Sequence, residues 1–382
     1  MPVPLYLLAL AVFAMGTSEF MLAGLVPDLA ADLDVSVGTA GLLTSAFAVG
    51  LVVGAPLMAA LARDRPGRFS LPGFVVAFLA AHVVGALTSN FPVLVVTRVV
   101  AALANAGFLA VALTTAAALV RPDLKGRALA VLLSGTTAAT IAGVPGGAAL
   151  GALLGWRATF WAVALLCVPA ALGVLTGLPA AGGGGRAAGR PALRSELGQL
   201  RRPRLVLVLV LGALVNAATF ATFTFLAPVV TGTAGLDELW VPVVLVLFGL
   251  GSFAGVTAAG RLADRRPGLV LAAGGPALLL GWVALAVLAD RPAALLVLAF
   301  TQGVLSFALG GTLITRVLYE AAGAPTMAGS YATAALNVGA AAGPLLAATT
   351  LHTGNLGPLW TSALLVAVAL LVALRFRPGR SA

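Results

Sequence analysis

Two ionisable side chains lie where hydrocarbon is expected around them, and their types suit a proton-linked switch. Glu19 interrupts the apolar run from Leu5 to Val26, inside the stretch AMGTSEFMLAG. An ionised side chain at the centre of a bilayer costs roughly 3 kcal/mol or more, so such residues mark functional sites by default. An apolar cavity disfavours the carboxylate relative to the neutral acid. Glu19 is therefore a candidate for loading a proton on one side of a membrane and releasing it on the other. A structural reading stays open, in which the carboxyl bonds to Thr17, Ser18 or a neighbouring helix. Arg98, near the start of the fourth apolar run, keeps its charge under all ordinary conditions. It is the candidate partner that tunes Glu19 and couples the first and fourth runs, with helix packing as the plain alternative.

The elements that must position these residues are membrane helices. Of 382 residues, 61% are hydrophobic and 9% charged, with a mean hydropathy of +1.10. A soluble chain carries roughly a quarter charged residues. About 20 apolar residues cross a bilayer, and splitting at charged, Pro and Gly clusters predicts twelve spans. These are 5–26, 39–62, 69–88, 92–120, 128–152, 158–178, 205–229, 241–263, 269–289, 292–318, 327–350 and 358–374. The fold class expected is an all-α polytopic membrane protein of two six-helix bundles. Residues 1–178 form the first, 205–382 the second, and the Gly-rich, basic segment 179–204 a cytoplasmic linker.

Composition removes several classes of function. The lone Cys167 excludes a disulfide framework, and with His82 and His352 as the only histidines a structural zinc site is not expected. His82 reads as a satisfied core histidine and Cys167 as apolar packing. Lys125 is the only lysine and is followed by Gly126, which does not make a P-loop. An uncoupled channel and a membrane enzyme stay as lower-ranked readings: a channel predicts flux that ignores a proton gradient, and an enzyme predicts clustered nucleophiles, carboxylates or metal ligands, where this sequence has one intramembrane acid and one cysteine. The net charge of +10 is not a nucleic-acid signal. With both termini in the cytoplasm, nearly all basic residues fall in cytoplasmic segments; Arg157 and Arg291 fall outside, and Arg98 lies within a span. The N-terminus lacks a positive n-region and reads as a first membrane helix.

The chain repeats itself after 201 residues. Pro27 meets Pro228, Gly50 meets Gly251, Gly54 meets Gly255, and Arg65-Pro66-Gly67 meets Arg266-Pro267-Gly268. A six-helix shift preserves orientation, so the halves are parallel repeats. That architecture places a substrate site near the midplane between halves.

These residues resemble the major facilitator superfamily over nearly the whole chain. GRLADRRPG (Gly260–Gly268) resembles its signature between the eighth and ninth helices, and AALARDRPGR (Ala59–Arg68) is a degenerate first-half copy. TRVVAALANAG resembles the motif whose arginine, here Arg98, is implicated in proton coupling. GVPGG resembles the antiporter motif of the fifth helix, with Gly143, Pro145, Gly146 and Gly147 sealing the protein against leakage; general packing is the alternative. The strings around Glu19, Asn105, Thr136, Trp156 and Tyr331 are similar to chloramphenicol-resistance exporters of actinobacteria, within the twelve-helix drug/proton antiporters.

That resemblance implies a proton-coupled exporter of chloramphenicol in the bacterial cytoplasmic membrane. It implies no cofactor, a drug and protons as partners, the lipid bilayer as surroundings and no nucleic acid. A monomer is expected, and sugar or nucleoside efflux is the other transport reading. In the turns, Asp264 with Arg261 and Arg265, and Asp64 with Arg68, are candidate gating clasps, or exposed ion pairs worth up to about 1 kcal/mol. A neutral aromatic drug calls for an apolar pocket with a few polar groups. The candidates are Asn105, Phe108, Asn216, Phe220, Phe223, Tyr331 and Asn337.

Overall fold

The computed structural model describes residues 2–61, 67–121, 125–177, 193–263, 267–324 and 327–375. Every regular element among them is helical. In the first half these are α1 (Val3–Phe20), α2 (Val26–Asp32), α3 (Val37–Leu61), α4 (Gly67–Leu87), α5 (Phe91–Ala118), α6 (Lys125–Ala138), α7 (Val144–Leu154) and α8 (Trp156–Gly177). The second half holds α9 (Leu193–Leu197), α10 (Pro203–Thr224), α11 (Leu226–Pro228), α12 (Trp240–Ala263), α13 (Pro267–Leu288), α14 (Pro292–Glu320), α15 (Ala328–Ala348) and α16 (Gly357–Arg375). The chain divides into two compact units, Met1–Ala188 and Gly189–Ala382.

Among the described residues ten helices are long and apolar enough to cross a membrane. The pair Val131–Gly143 and Pro145–Leu154, bent by 40°, makes an eleventh if it is one span, and Val3–Glu19 is a shorter apolar helix. The protein is thus a multi-pass membrane protein; ten of the twelve expected spans are single long helices among the described residues, and the first and fifth are the shorter helix and the bent pair. The largest departure is in the first. An unbroken helix was expected over 5–26, but α1 ends at Phe20 and a 3-10 turn, Met21–Gly24, leads into α2. Pro27 lacks the N–H that would continue the ladder, and its ring collides with the carbonyl four residues back. Glu19 therefore sits in the last turn of α1, at a break, and not well inside a continuous span. The seventh span breaks likewise: α10 stops at Thr224, upstream of Pro228, and a π turn spans Val229–Thr233.

Local chemistry fixes the other ends. Asn90 caps α5, its Oδ1 accepting from Val93 N at 3.1 Å. Ser36 Oγ accepts from Thr39 N at 3.0 Å at the start of α3. A single residue, Gly155, links α7 to α8 at φ 81°, a conformation that favours glycine. Arg157 then ties this corner together. Its Nη1 pairs with Asp32 at 2.5 Å, its Nη2 donates to Thr88 O at 3.2 Å, and its guanidinium lies over Trp156.

The same helix pairs pack within each unit. In the first, α3 packs on α5, α1 on α6 and on α8, and α4 on α8. In the second, α12 packs on α14, α10 on α15 and on α16, and α13 on α16. The repeated glycines lie at equivalent seams. A methyl group at Gly50 or Gly54 would press on Val99, Ala102 or Ala106 of α5; one at Gly251 or Gly255 would overlap the carbonyls of Phe300 and Val304 of α14. Small residues let apolar helices approach closely where lipid supplies no hydrophobic drive. The parallel repeat read from the sequence is therefore a repeat of packing.

The end of the expected linker, from Leu193, is folded onto the second unit. Glu196 is buried, and its carboxylate accepts from Met327 N at 2.9 Å just ahead of α15, where no local side chain caps the helix. Its carbonyl accepts from the Tyr331 hydroxyl at 2.9 Å. A carboxylate at a helix N-terminus satisfies an orphan donor and the helix dipole together. Glu196→Ala is expected to lower stability by about 1 kcal/mol, as for loss of a helix cap. The check is the thermal midpoint of the purified protein beside Glu196→Gln, which keeps an acceptor oxygen and should lose less.

Candidate functional site

The end of α1 places Ser18 against α4 and α5, with Glu19 next to it in the chain. Ser18 is fully buried and Glu19 half-buried. Ser18 is the hub. Its Oγ lies 2.7 Å from His82 Nε2 on α4 and accepts from Arg98 Nη1 on α5 at 2.8 Å. Arg98 Nη2 donates to the Ser18 carbonyl at 2.8 Å. That carbonyl lies near the end of α1, where the break upstream of α2 interrupts the ladder. The break therefore exposes the acceptor that the guanidinium uses.

Arg98 is 1% exposed, a low value for an arginine. Its guanidinium lies 4.3 Å from the centroid of the Phe47 ring on α3, a face that attracts cations. Its Nε has no hydrogen-bond partner in the structure. Glu19 follows Ser18 in the chain, and both terminal nitrogens of the Arg98 guanidinium are held by Ser18. The carboxyl is thus near a buried cation without being clamped by it. His82 Nδ1 lies 2.8 Å from Phe78 O, and its ring stacks at 4.2 Å on Phe78 and at 5.7 Å on Phe160 of α8. The expectation of a satisfied core histidine agrees with this geometry. The hydrogen-bond link from His82 through Ser18 to Arg98 is what sequence reasoning missed. The polar run Thr17-Ser18-Glu19 in an apolar helix was the available signal.

The helix-5 motif packs against the same turn. Residues Ala139–Gly143 form a π turn just before Pro145, whose missing N–H and ring disturb a regular helical ladder. A π turn inside a helix frequently marks a functional site. A side chain at Gly143 would collide with Thr17, and one at Gly147 would meet Thr159 at 3.0 Å and Met21 at 3.6 Å. Thr159 Oγ1 donates to Gly147 O at 2.8 Å, fixing α7 on α8. Pro145 is buried, but Gly146 is exposed with nothing near its missing Cβ. The motif thus splits into packing glycines and a free one. Gly143→Val is expected to push Thr17 and the Glu19 turn outward and cut export at least about tenfold, whereas Gly146→Ala leaves it near wild type. Export rates normalised to membrane abundance check this contrast.

The remaining candidates scatter. Phe108 is fully buried in the first unit and Asn105 half-buried on α5. Asn216 links helices, its Nδ2 donating to Leu336 O on α15 at 2.7 Å. Asn337 Nδ2 donates to Thr333 O on its own helix, and Tyr331 is engaged with Glu196. Phe220 and Phe223 are brought together, with centroids 6.1 Å apart, and continue through Phe248 at 5.1 Å to Phe307 at 6.2 Å. Phe248 and Phe307 were not read from the sequence. Buried polar side chains of the spans α10 to α16 include the uncharged Thr222, Gln302, Ser306 and Ser362. Asp64, Asp264 and Arg265 lie outside the described residues, as do the side chains of Arg68 and Arg261. No cluster of metal-ligating side chains occurs among the described residues.

The family model of the Major Facilitator Superfamily matches residues 8–335. The chain is 76% identical over 379 residues to a chloramphenicol resistance protein of Streptomyces lividans, covering 99% of this chain and 97% of that one. It is 34% identical over 342 residues to the inner membrane transport protein YdhP of Escherichia coli K12, covering 89% and 86%. Among solved structures, a mutant of the nucleoside transporter NupG superposes with a TM-score of 0.78 at 12% identity, over 98% of this chain and 99% of that one. A bacterial homologue of the human lysosomal transporter Spinster, in an inward-facing and unoccupied conformation, superposes with a TM-score of 0.73 at 16% identity, over 97% and 94%. At such identities these two likenesses are of fold.

Proposed function

Because the chain belongs to the major facilitator superfamily, we propose that it exports chloramphenicol in exchange for protons, with Glu19 as the coupling carboxyl. The identity of 76% along 99% of the chain to a chloramphenicol resistance protein carries the choice of drug. The placement of Glu19 next to Ser18, which holds buried Arg98, supports the choice of proton site.

The mechanism follows from the charges. Ionised Glu19 is stabilised by the Arg98 cation, and protonated Glu19 leaves that cation to the Ser18 oxygens and the Phe47 face. The two states differ by one charge at the end of α1, against which the glycines of α6 and α7 are packed. A proton taken up on the outer side therefore alters the forces on the α1–α7 seam, and its release inside restores them. Alternating access needs such a difference between states, because a ligand shifts an equilibrium only by its differential interaction with them. The aromatic chain from Phe220 to Phe307 is a suitable platform for the ring of a neutral drug. Both termini are assigned to the cytoplasm, the protein to the bacterial cytoplasmic membrane as a monomer, and the proton gradient serves in place of a cofactor.

Accumulation of radiolabelled chloramphenicol in cells with and without the protein tests this reading. Lower accumulation in expressing cells, reversed by a protonophore, is expected. Equal accumulation in both would overturn the assignment of substrate.

A further inference from the structure

The proton directions around Ser18 are fixed by its partners. Phe78 O can only accept, so His82 Nδ1 carries the proton and donates to it at 2.8 Å. In the neutral ring Nε2 is then an acceptor. The Ser18 hydroxyl, 2.7 Å away, must donate to it. The hydroxyl's lone pairs are thereby turned to Arg98 Nη1, which donates at 2.8 Å. A chain of fixed polarity runs from Arg98 through Ser18 to His82 and ends on a backbone carbonyl. Without His82, the serine hydrogen is free to swing toward the guanidinium and repel it.

We infer that Ser18 and His82 are positioning residues that hold the Arg98 guanidinium at a set separation from Glu19. The inference rests on the reading of Glu19 as the coupling carboxyl, and it adds what sets the strength of its electrostatic partner. Two observations support it. Both terminal nitrogens of Arg98 are used on Ser18, and neither on Glu19. Arg98 Nε is also buried without a partner, so the guanidinium retains an unused donor. Loss of the serine hydroxyl leaves one of the two bonds and frees the group to turn that capacity on the carboxylate. The charged groups acting in this cluster are Arg98 on α5 and Glu19 on α1; α3 and α8 present the rings of Phe47 and Phe160.

The test is an infrared titration of the purified protein in lipid nanodiscs. The protonated carboxyl stretch of Glu19 is assigned by its loss in Glu19→Gln, which makes the readout independent of transport and of the drug. In Ser18→Ala the midpoint is expected to move toward acid by about one unit, the size of effect that an opposite charge within about 4–6 Å exerts on a carboxyl. His82→Leu, which fills the space without accepting, should move it similarly. His82→Gln, whose side-chain carbonyl can accept from Ser18, should restore the wild-type midpoint. The double variant Ser18→Ala/His82→Leu should move no further than either alone, because both break one chain. Unchanged midpoints in Ser18→Ala and His82→Leu would overturn the inference, as would His82→Gln behaving like His82→Leu. If cells carrying the protein accumulate as much chloramphenicol as cells without it, the proposed function fails instead, whatever the titration shows.

Discussion

Glu19→Gln loses gradient-driven export of chloramphenicol while leaving the protein folded and in the membrane. Glutamine matches glutamate in size and keeps a hydrogen-bonding end, so the last turn of α1 keeps its packing on the π turn at Ala139–Gly143. It cannot release a proton. A cycle that exchanges one proton per drug across a gradient of one pH unit supports about tenfold accumulation, since every 1.4 kcal/mol is a factor of ten. Wild-type inverted vesicles should reach that order of accumulation, and Glu19→Gln should fill only to the level seen without a gradient. Equal abundance and thermal midpoint in the two proteins separate a lost proton site from a lost fold. Drug binding should weaken, because a permanently neutral side chain mimics the protonated state, which in an exchange cycle must disfavour the drug.

Loss of Arg98 has the second largest effect, and it differs in kind. Arg98→Ala takes away the donors to Ser18 Oγ and O and the cation facing Phe47, and leaves a void at a site with 1% exposure. Hydrogen bonds made by a charged group contribute about 1.5–3 kcal/mol each, and two are lost. Membrane abundance should therefore fall along with export. Arg98→Lys is the more informative change. It keeps the charge but replaces a planar fork with a single point of donation, which cannot reach both Ser18 oxygens in the same geometry. Its abundance should stay near wild type while its export falls at least about tenfold. Measuring abundance and initial rate together separates the two variants. Wild-type export by Arg98→Lys would reduce the role of Arg98 to its charge alone.

The helical architecture was legible because hydropathy is written along the chain. Charged and Gly/Pro clusters cut it close to the observed helix ends, and the glycines shared at a shift of 201 lie at matching seams in the two units. The breaks were less legible, though their cause was present. Pro27 and Pro228 each end a helix several residues upstream, and the length of an apolar run hides that. The helical turns at Leu193–Arg201 were masked by a basic, Gly-rich flank that suggests a linker; Glu196 binds there because Met327 needs an acceptor. At the site, Glu19 and Arg98 announced themselves as charges in apolar runs. Ser18 and His82 did not announce their link, because the two residues are 64 positions apart and a neutral hydroxyl carries no cost signal. The Phe248 and Phe307 partners of Phe223 escaped notice for a similar reason, since aromatic residues in a membrane helix look alike whether they face lipid or one another.

Proton movement driven by the drug itself tests the central claim most directly. Inverted vesicles carrying the protein are made acid inside, and lumenal pH is followed with a fluorescent dye while chloramphenicol is added outside. The account predicts prompt alkalinisation of the lumen with wild-type protein, as drug enters and protons leave, and none with Glu19→Gln. Uptake of chloramphenicol without any change in lumenal pH would contradict it.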